Sequence, residues 1–96
     1  MFDKMKALMD MRKMMQEVKQ QLENTAFEIE SSDGLVKITM NGSQEVKEVK
    51  INAHSQDQLA LEKAFKDTFN RAVKHSQEIA AGKMKDATGL NLSGLL

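Results

Sequence analysis

The side chains that ordinarily carry covalent or metal chemistry are few in this 96-residue sequence and poorly spaced for it. Cysteine is absent and the two histidines, His54 and His75, stand far apart, so a metal site would need Asp or Glu to complete it. His75 and Glu78 lie at i,i+3, a spacing that on a helix serves a surface hydrogen bond. Ser43 and Ser55 have no His with an orienting acid at a spacing suited to nucleophilic catalysis. Gly34 and Gly42 read as turn glycines, because no glycine-rich run joins a strand to a helix start, as a phosphate-cradling loop requires. No enzyme, bound metal or cofactor is expected.

The chemistry that remains is charge. The 14 Lys/Arg and 14 Asp/Glu cancel, against the strongly basic footprint of an independent nucleic-acid binder. Their distribution is uneven: five bases against four acids over residues 1–23, three against six over 24–57, and six against four over 58–86. The flanking segments are thus mildly positive and the middle negative.

Period assigns these segments to elements. Met5, Leu8, Met11, Met15, Val18 and Leu22, extended back by Met1, recur at steps of three and four, which predicts a helix over 3–23 with a methionine-rich seam. Residues 25–51 read as sheet. Phe27 and Ile29 alternate with Glu28 and Glu30, and Val36, Ile38 and Met40 alternate with Lys37, Thr39 and Asn41. A two-residue Asp33-Gly34 loop would pair Glu30 with Lys37, Ile29 with Ile38 and Phe27 with Met40, joining acid to base and apolar to apolar. A three-residue loop Asn41-Gly42-Ser43 would set Val46 opposite Ile38, and a β-bulge at Lys47-Glu48 is then needed to bring Val46, Val49 and Ile51 onto one face. Those three, with Phe27, Ile29, Val36, Ile38 and Met40, form the expected core and dimer surface.

Ser55 with Gln58 reads as a capping box opening a second helix over 56–86. Leu61, Ala64, Phe65, Phe69, Ala72, Val73, Ile79 and Ala80 form its apolar side, and Asp67–Arg71 and Lys74–Glu78 are candidate i,i+4 pairs outside. It should fray near Gly82 and stop before Gly89, leaving 87–96 as a tail. The expectation is one α+β domain over 1–96: helix, three-stranded antiparallel meander, long helix. A compact domain of this size is about 30 Å across, and helices of about 30 and 40 Å must overhang it. An overhanging apolar seam and an open sheet edge both favour a C₂ homodimer. With no apolar run approaching ~20 residues and charges breaking the opening residues, neither a membrane span nor a signal peptide is expected. A soluble cytoplasmic protein follows.

The whole chain resembles the YbaB/EbfC family of small nucleoid-associated DNA-binding proteins. The likeness rests on the Met/Gln/Lys-rich opening from Met5 to Leu22, on Gly34-Leu-Val-Lys-Ile-Thr-Met-Asn-Gly42 followed by Val46-Lys-Glu-Val-Lys-Ile51, on Ala64-Phe-Lys-Asp-Thr-Phe-Asn-Arg-Ala72, and on Thr88-Gly-Leu-Asn-Leu-Ser-Gly94. Asn52-Ala53 stands where Asp-Pro is frequent, the approach to the second helix is short, and the tail lacks the usual prolines. The resemblance implies a tweezer-shaped homodimer in the nucleoid, with helices projecting as arms onto double-stranded DNA and little sequence specificity. It also implies that the DNA contacts are Arg12, Lys13 and Lys19 on the first helix and Lys63, Lys66, Arg71 and Lys74 on the second. Such cations suit phosphates. The competing reading is a dimeric protein-binding adaptor or chaperone using the Met-rich helix faces. A membrane-surface helix is less well supported, since the first segment lacks Trp and mixes acids with its bases.

Overall fold

A computed structural model describes residues 2–52 and 57–88 of the chain. Its order is α1 (Phe2–Glu23), β1 (Ala26–Glu30), β2 (Val36–Asn41), β3 (Val46–Ile51) and α2 (Gln58–Thr88), the α+β arrangement expected. The strands form one antiparallel sheet in the order β1-β2-β3. The molecule measures 66 × 24 × 15 Å with a radius of gyration of 17.8 Å. A compact chain of this length would have about 13 Å, so the helices do overhang.

The β1–β2 register follows the apolar pattern: Glu30 opposes Lys37, Ile29 opposes Ile38 and Phe27 opposes Met40. The connection differs from the expected two-residue loop, and β1 ends at Glu30. The Gly34 amide donates to the Ser31 carbonyl (3.0 Å), which closes a longer turn. Gly34 takes φ +74°, a left-handed conformation that costs glycine little. Ser31 Oγ accepts from the Val36 amide (3.0 Å) and donates to Asp33 Oδ1 (2.7 Å), which also accepts from the Leu35 amide (3.2 Å). These bonds, the Ser31 hydroxyl foremost, hold the Asp33 carboxyl below its ordinary value.

The β-bulge expected at Lys47-Glu48 is present: Met40 opposes Val46, Thr39 opposes Glu48, and the extra residue sets Val49 against Ile38 and Ile51 against Val36. The turn before it lies one residue later than expected, so Val46 opposes Met40 and not Ile38. The Asn41 amide donates to the Glu45 carbonyl (3.1 Å) and the Gln44 amide to the Asn41 carbonyl (3.2 Å), so Gly42-Ser43-Gln44 is the loop. Gln44 carries the positive φ of 61°. Asn41 compensates by serving as a hub, and it is fully buried. Its Oδ1 accepts from the Ser43 and Glu45 amides, and its Nδ2 donates to the Glu23 carbonyl at the end of α1. Ser76 Oγ of α2 donates to its carbonyl at 2.8 Å.

The core is narrower than the sequence pattern suggests. Val36, Ile38 and Met40 are 0–1% exposed, whereas Val46, Val49 and Ile51 are 43%, 39% and 54% exposed. The β3 trio is therefore not core within one chain. The reason is coverage: α2 lies over β1 and β2, and the partly buried Phe27, Ile29, Phe69 and Val73 close around β2. The buried line of α2 is Ala64, Thr68, Ala72 and Ser76, small side chains at steps of four that let the helix approach the sheet. Phe65, assigned to the apolar side, is 40% exposed and stacks on Phe69 with centroids 5.9 Å apart. Thr68 Oγ1 is buried with no hydrogen-bond partner among the described residues.

Helix α2 begins at Gln58, with Asp57 Oδ1 accepting from the Ala60 amide (3.0 Å) as its N-cap. The capping box placed at Ser55 lies outside the described residues, and Gln58 instead donates to Glu62 Oε1 (3.2 Å). The helix runs unbroken through Gly82 to Thr88. The tail beyond Thr88 also lies outside the described residues.

Candidate nucleic-acid interface

All seven cations that the resemblance points to are exposed on helices, and the structure sorts them into groups. At about 100° per residue, Lys63, Lys66 and Lys74 share the side of α2 turned away from Thr68, Ala72 and Ser76, and hence away from the sheet. Along the axis they span roughly 16 Å. Arg71 lies apart, because its Nη1 donates to the Glu30 carbonyl at 3.2 Å, which ties the guanidinium to the end of β1. On α1, Arg12 and Lys19 lie on one side and Lys13 on the next, all away from the buried Val18.

Neither expected pair, Asp67–Arg71 or Lys74–Glu78, is among the ion pairs of the described residues. Glu78 Oε2 stands 3.7 Å from His75 Nδ1, whose ring meets Phe27 edge-on at 4.6 Å. His54 lies outside the described residues, among which no three His, Asp or Glu side chains gather as a metal site would require.

The sheet and the helices differ in how their cations are satisfied. Lys37 lies 3.7 Å from Glu28, Lys47 4.0 Å from Glu45 and Lys50 3.6 Å from Glu48. Every lysine of the sheet thus has a carboxylate beside it. Among the described residues, Arg12, Lys13, Lys19, Lys63, Lys66 and Lys74 have no ion pair. Exposed pairs contribute little to stability, but a lysine with a carboxylate beside it is partly neutralised, so the helix cations are the ones left without a carboxylate within ion-pair distance. A net charge of zero conceals that separation.

The two helices are arranged to extend this surface. Leu22 and Ile79 both border Gly42, while Met14, Glu17 and Val18 share a groove with Lys83, Asp86 and Ala87. Residue numbers fall along α1 as they rise along α2, so the helices run antiparallel. The groove continues past Gln20, Gln21, Asn24 and Thr25 as a furrow of about 420 Å³. Its charges are mixed, with Glu17 and Lys83 both lining it, and it is less suited to a phosphate than the outward lysines.

The helical spacing of small residues on α2 was the signal for its buried face, and the large apolar residues beside them masked it. Asn41 and Ser76 form a joint between α1, the sheet and α2 that no sequence expectation includes. A polar residue opening a turn was legible at Asn41, but its partner lies 35 positions away.

Comparison with known proteins gives the family and the fold. The YbaB/EbfC DNA-binding family matches residues 1–91. A nucleoid-associated protein of Clostridium acetobutylicum is 32% identical over 88 residues, covering 88% of this chain and 79% of that protein. A nucleoid-associated protein of Dictyoglomus thermophilum is 35% identical over 95 residues, covering 95% of this chain and 91% of its own length. The crystal structure of an uncharacterized protein from Helicobacter pylori shares the fold, with a TM-score of 0.73 at 22% identity, covering 81% of this chain and 86% of that one.

Proposed function

Because the chain belongs to the YbaB/EbfC DNA-binding family, we propose that it acts in the nucleoid as a homodimer that holds duplex DNA through phosphate contacts from its helices, with little sequence preference. The observation that carries this reading is the contrast in cation pairing: sheet lysines sit beside glutamates, whereas among the described residues Arg12, Lys13, Lys19, Lys63, Lys66 and Lys74 have no ion pair. Each phosphate neutralised by such a cation releases condensed counterions, which drives binding without reference to base sequence. Among the described residues no helix is long and apolar enough to cross a membrane.

The dimer supplies what one chain lacks. Val46, Val49 and Ile51 present an apolar strip on an edge strand, and Phe65 is exposed on α2. A second copy applied there would dry the strip and pair the edge. Two sets of helices would then project from one central body. In this reading Lys63, Lys66, Lys74, Arg12, Lys13 and Lys19 meet phosphates, and Arg71 chiefly braces α2 against β1.

The test is a titration of fluorescent duplex DNA at several salt concentrations, with light scattering on the same samples. A dimer is expected, with log affinity falling against log salt by about 0.9 for each phosphate neutralised. Replacing Lys63, Lys66 and Lys74 together by Gln should weaken binding alike on unrelated sequences and flatten that slope by about one unit for each phosphate no longer held. Arg71→Gln should do less. A dimer that ignores DNA even at low salt would refute the DNA reading in favour of a protein-binding adaptor, whose apolar contacts salt would preserve.

A further inference from the structure

Helix α1 leaves the body of the molecule with little packing to aim it. Among its described side chains Val18 is buried, Met14 and Leu22 are half-buried, and the rest are exposed. Its end is held instead by hydrogen bonds, and their donors come from two places. The last four carbonyls of a helix have no partner inside it. In α1 the Gln20 carbonyl accepts from the Asn24 amide (3.1 Å) and the Gln21 carbonyl from Thr25 Oγ1 (2.6 Å). These donors follow the helix in sequence and travel with it. The Leu22 carbonyl accepts from the Gly42 amide at 2.9 Å, and the Glu23 carbonyl from Asn41 Nδ2 at 3.1 Å. Those donors belong to the sheet.

Two bonds to successive carbonyls do what one cannot. Neighbouring carbonyls stand about 100° apart around a helix, so the pair resists tilting in two directions. The Asn41 carboxamide is fully engaged: Nδ2 also donates to Glu45 Oε1 (2.9 Å), and Oδ1 accepts from the Ser43 (2.9 Å) and Glu45 (3.1 Å) amides. With both donors and both lone pairs used, its orientation is fixed. Asn41 is also fully buried, so water does not replace a bond it loses. From the other side Ser76 Oγ donates to the Asn41 carbonyl (2.8 Å) and accepts from the Gln44 amide (3.1 Å), fastening the same turn to α2. Asn41 thus stands between the two helices that carry the unpaired cations.

Leverage gives that position its weight. Arg12 lies about 16 Å along the helix axis from Glu23, so a tilt of about 15° at the joint displaces it by about 4 Å. An N–H···O bond tolerates a spread of only about 0.5 Å. The direction of α1 therefore decides which phosphates its cations can meet while α2 holds others.

We propose that Asn41 is the positioning residue of the α1 arm: its carboxamide sets the direction of α1 against the sheet and α2, and with it the spacing at which Arg12, Lys13 and Lys19 meet a duplex also held by Lys63, Lys66 and Lys74. Asn41 touches no phosphate itself. What the arm grips rests on the DNA-binding reading; what aims it is the joint.

Asn41→Ser separates aim from grip. Serine keeps an acceptor for the turn amides, changes no charge, and is too short to reach the Glu23 carbonyl. Ser76→Ala is the control, because it too removes buried hydrogen bonds but leaves both ties to α1 in place. Since the chain has no cysteine, spin labels on Asp10→Cys and Asn70→Cys report the distance between α1 and α2, with unlabelled chains in excess so that a labelled copy meets an unlabelled one. A single narrow distance is expected with the joint intact, a broad or shifted one with Asn41→Ser, and little change with Ser76→Ala. A broad distance with the joint intact, or equal broadening by both variants, would overturn the proposal. On fluorescent duplex DNA, Asn41→Ser should flatten the slope of log affinity against log salt although every cation remains, by about one unit for each phosphate no longer held. It should add nothing to the variant R12Q/K13Q/K19Q. Equal weakening in that variant and in the unaltered chain would overturn the proposal as well. A chain that ignores DNA at low salt, yet whose arm loosens with Asn41→Ser, would refute the DNA reading and keep Asn41 as the residue that aims α1.

Discussion

Strands β2 and β3 each turn three apolar residues to one side, and the bulge in β3 sets the two trios opposite one another, yet one is sealed and the other open. Val36, Ile38 and Met40 face α2, while Val46, Val49 and Ile51 stand beside them uncovered. Alternation specifies which side of a strand is apolar; the width of what packs on that side specifies burial. A single helix about 10 Å wide covers two strands spaced about 4.8 Å apart and leaves a third bare. The difference leaves β3 as the strand whose apolar side no described element covers.

Substitution on the two strands should separate these roles most sharply. Ile38→Ala removes packed atoms from a sealed site and should cost about 2–5 kcal/mol of folding stability at any protein concentration, by chemical denaturation. Val49→Asp should instead act on assembly, because the new carboxylate would have to be desolvated between copies. Light scattering should report a shift to monomer with the sheet intact by circular dichroism. If both variants changed only stability, β3 would be ordinary surface and the contrast between the strands would fail.

A smaller effect comes from two glycines, Gly42 just after β2 and Gly82 within α2. A Cβ at Gly42 would fall 2.8 Å from Leu22 Cδ2 and 3.2 Å from both Ile79 Cγ2 and the Leu22 carbonyl. The Gly42 amide meanwhile donates to the Leu22 and Thr25 carbonyls at 2.9 and 3.1 Å. Gly42→Ala should therefore destabilise by about 1–3 kcal/mol through overpacking. Gly82→Ala should do the opposite. Nothing lies within 4 Å of its Cβ position, so about 0.5–1 kcal/mol of helix propensity is gained. Melting temperatures of the two variants should move in opposite directions.

The smallest effect concerns pH at the β1–β2 turn. The Ser31 hydroxyl and the Leu35 amide lower the Asp33 pKa in the folded chain. The turn thus gains from an ionised carboxylate at pH values above the ordinary Asp range. That contribution disappears as pH falls through the folded value. Amide shifts of Leu35 and Val36 should follow this acid titration, and Asp33→Asn should abolish it.

Much of this molecule could be read from its residues. Period three to four in α1 and α2, and period two in the strands, set the element order. Pairing of Ile29 with Ile38 and Glu30 with Lys37 set one register, and the break between Val46 and Val49 required a bulge. These are consequences of local geometry, because side-chain direction follows from backbone type alone. The candidate helix cations could be named only through the family resemblance.

What local pattern could not reach was the relation between elements distant in sequence. Whether Val49 or Val36 is buried depends on where α2 lands; whether Arg71 is free depends on the Glu30 carbonyl 41 positions away. The Asn41–Ser76 joint and the close approach at Gly42 likewise exist only once α1, the sheet and α2 meet. Burial and partnering belong to surfaces brought together from afar, and a periodic sequence states which faces are apolar without stating what will cover them.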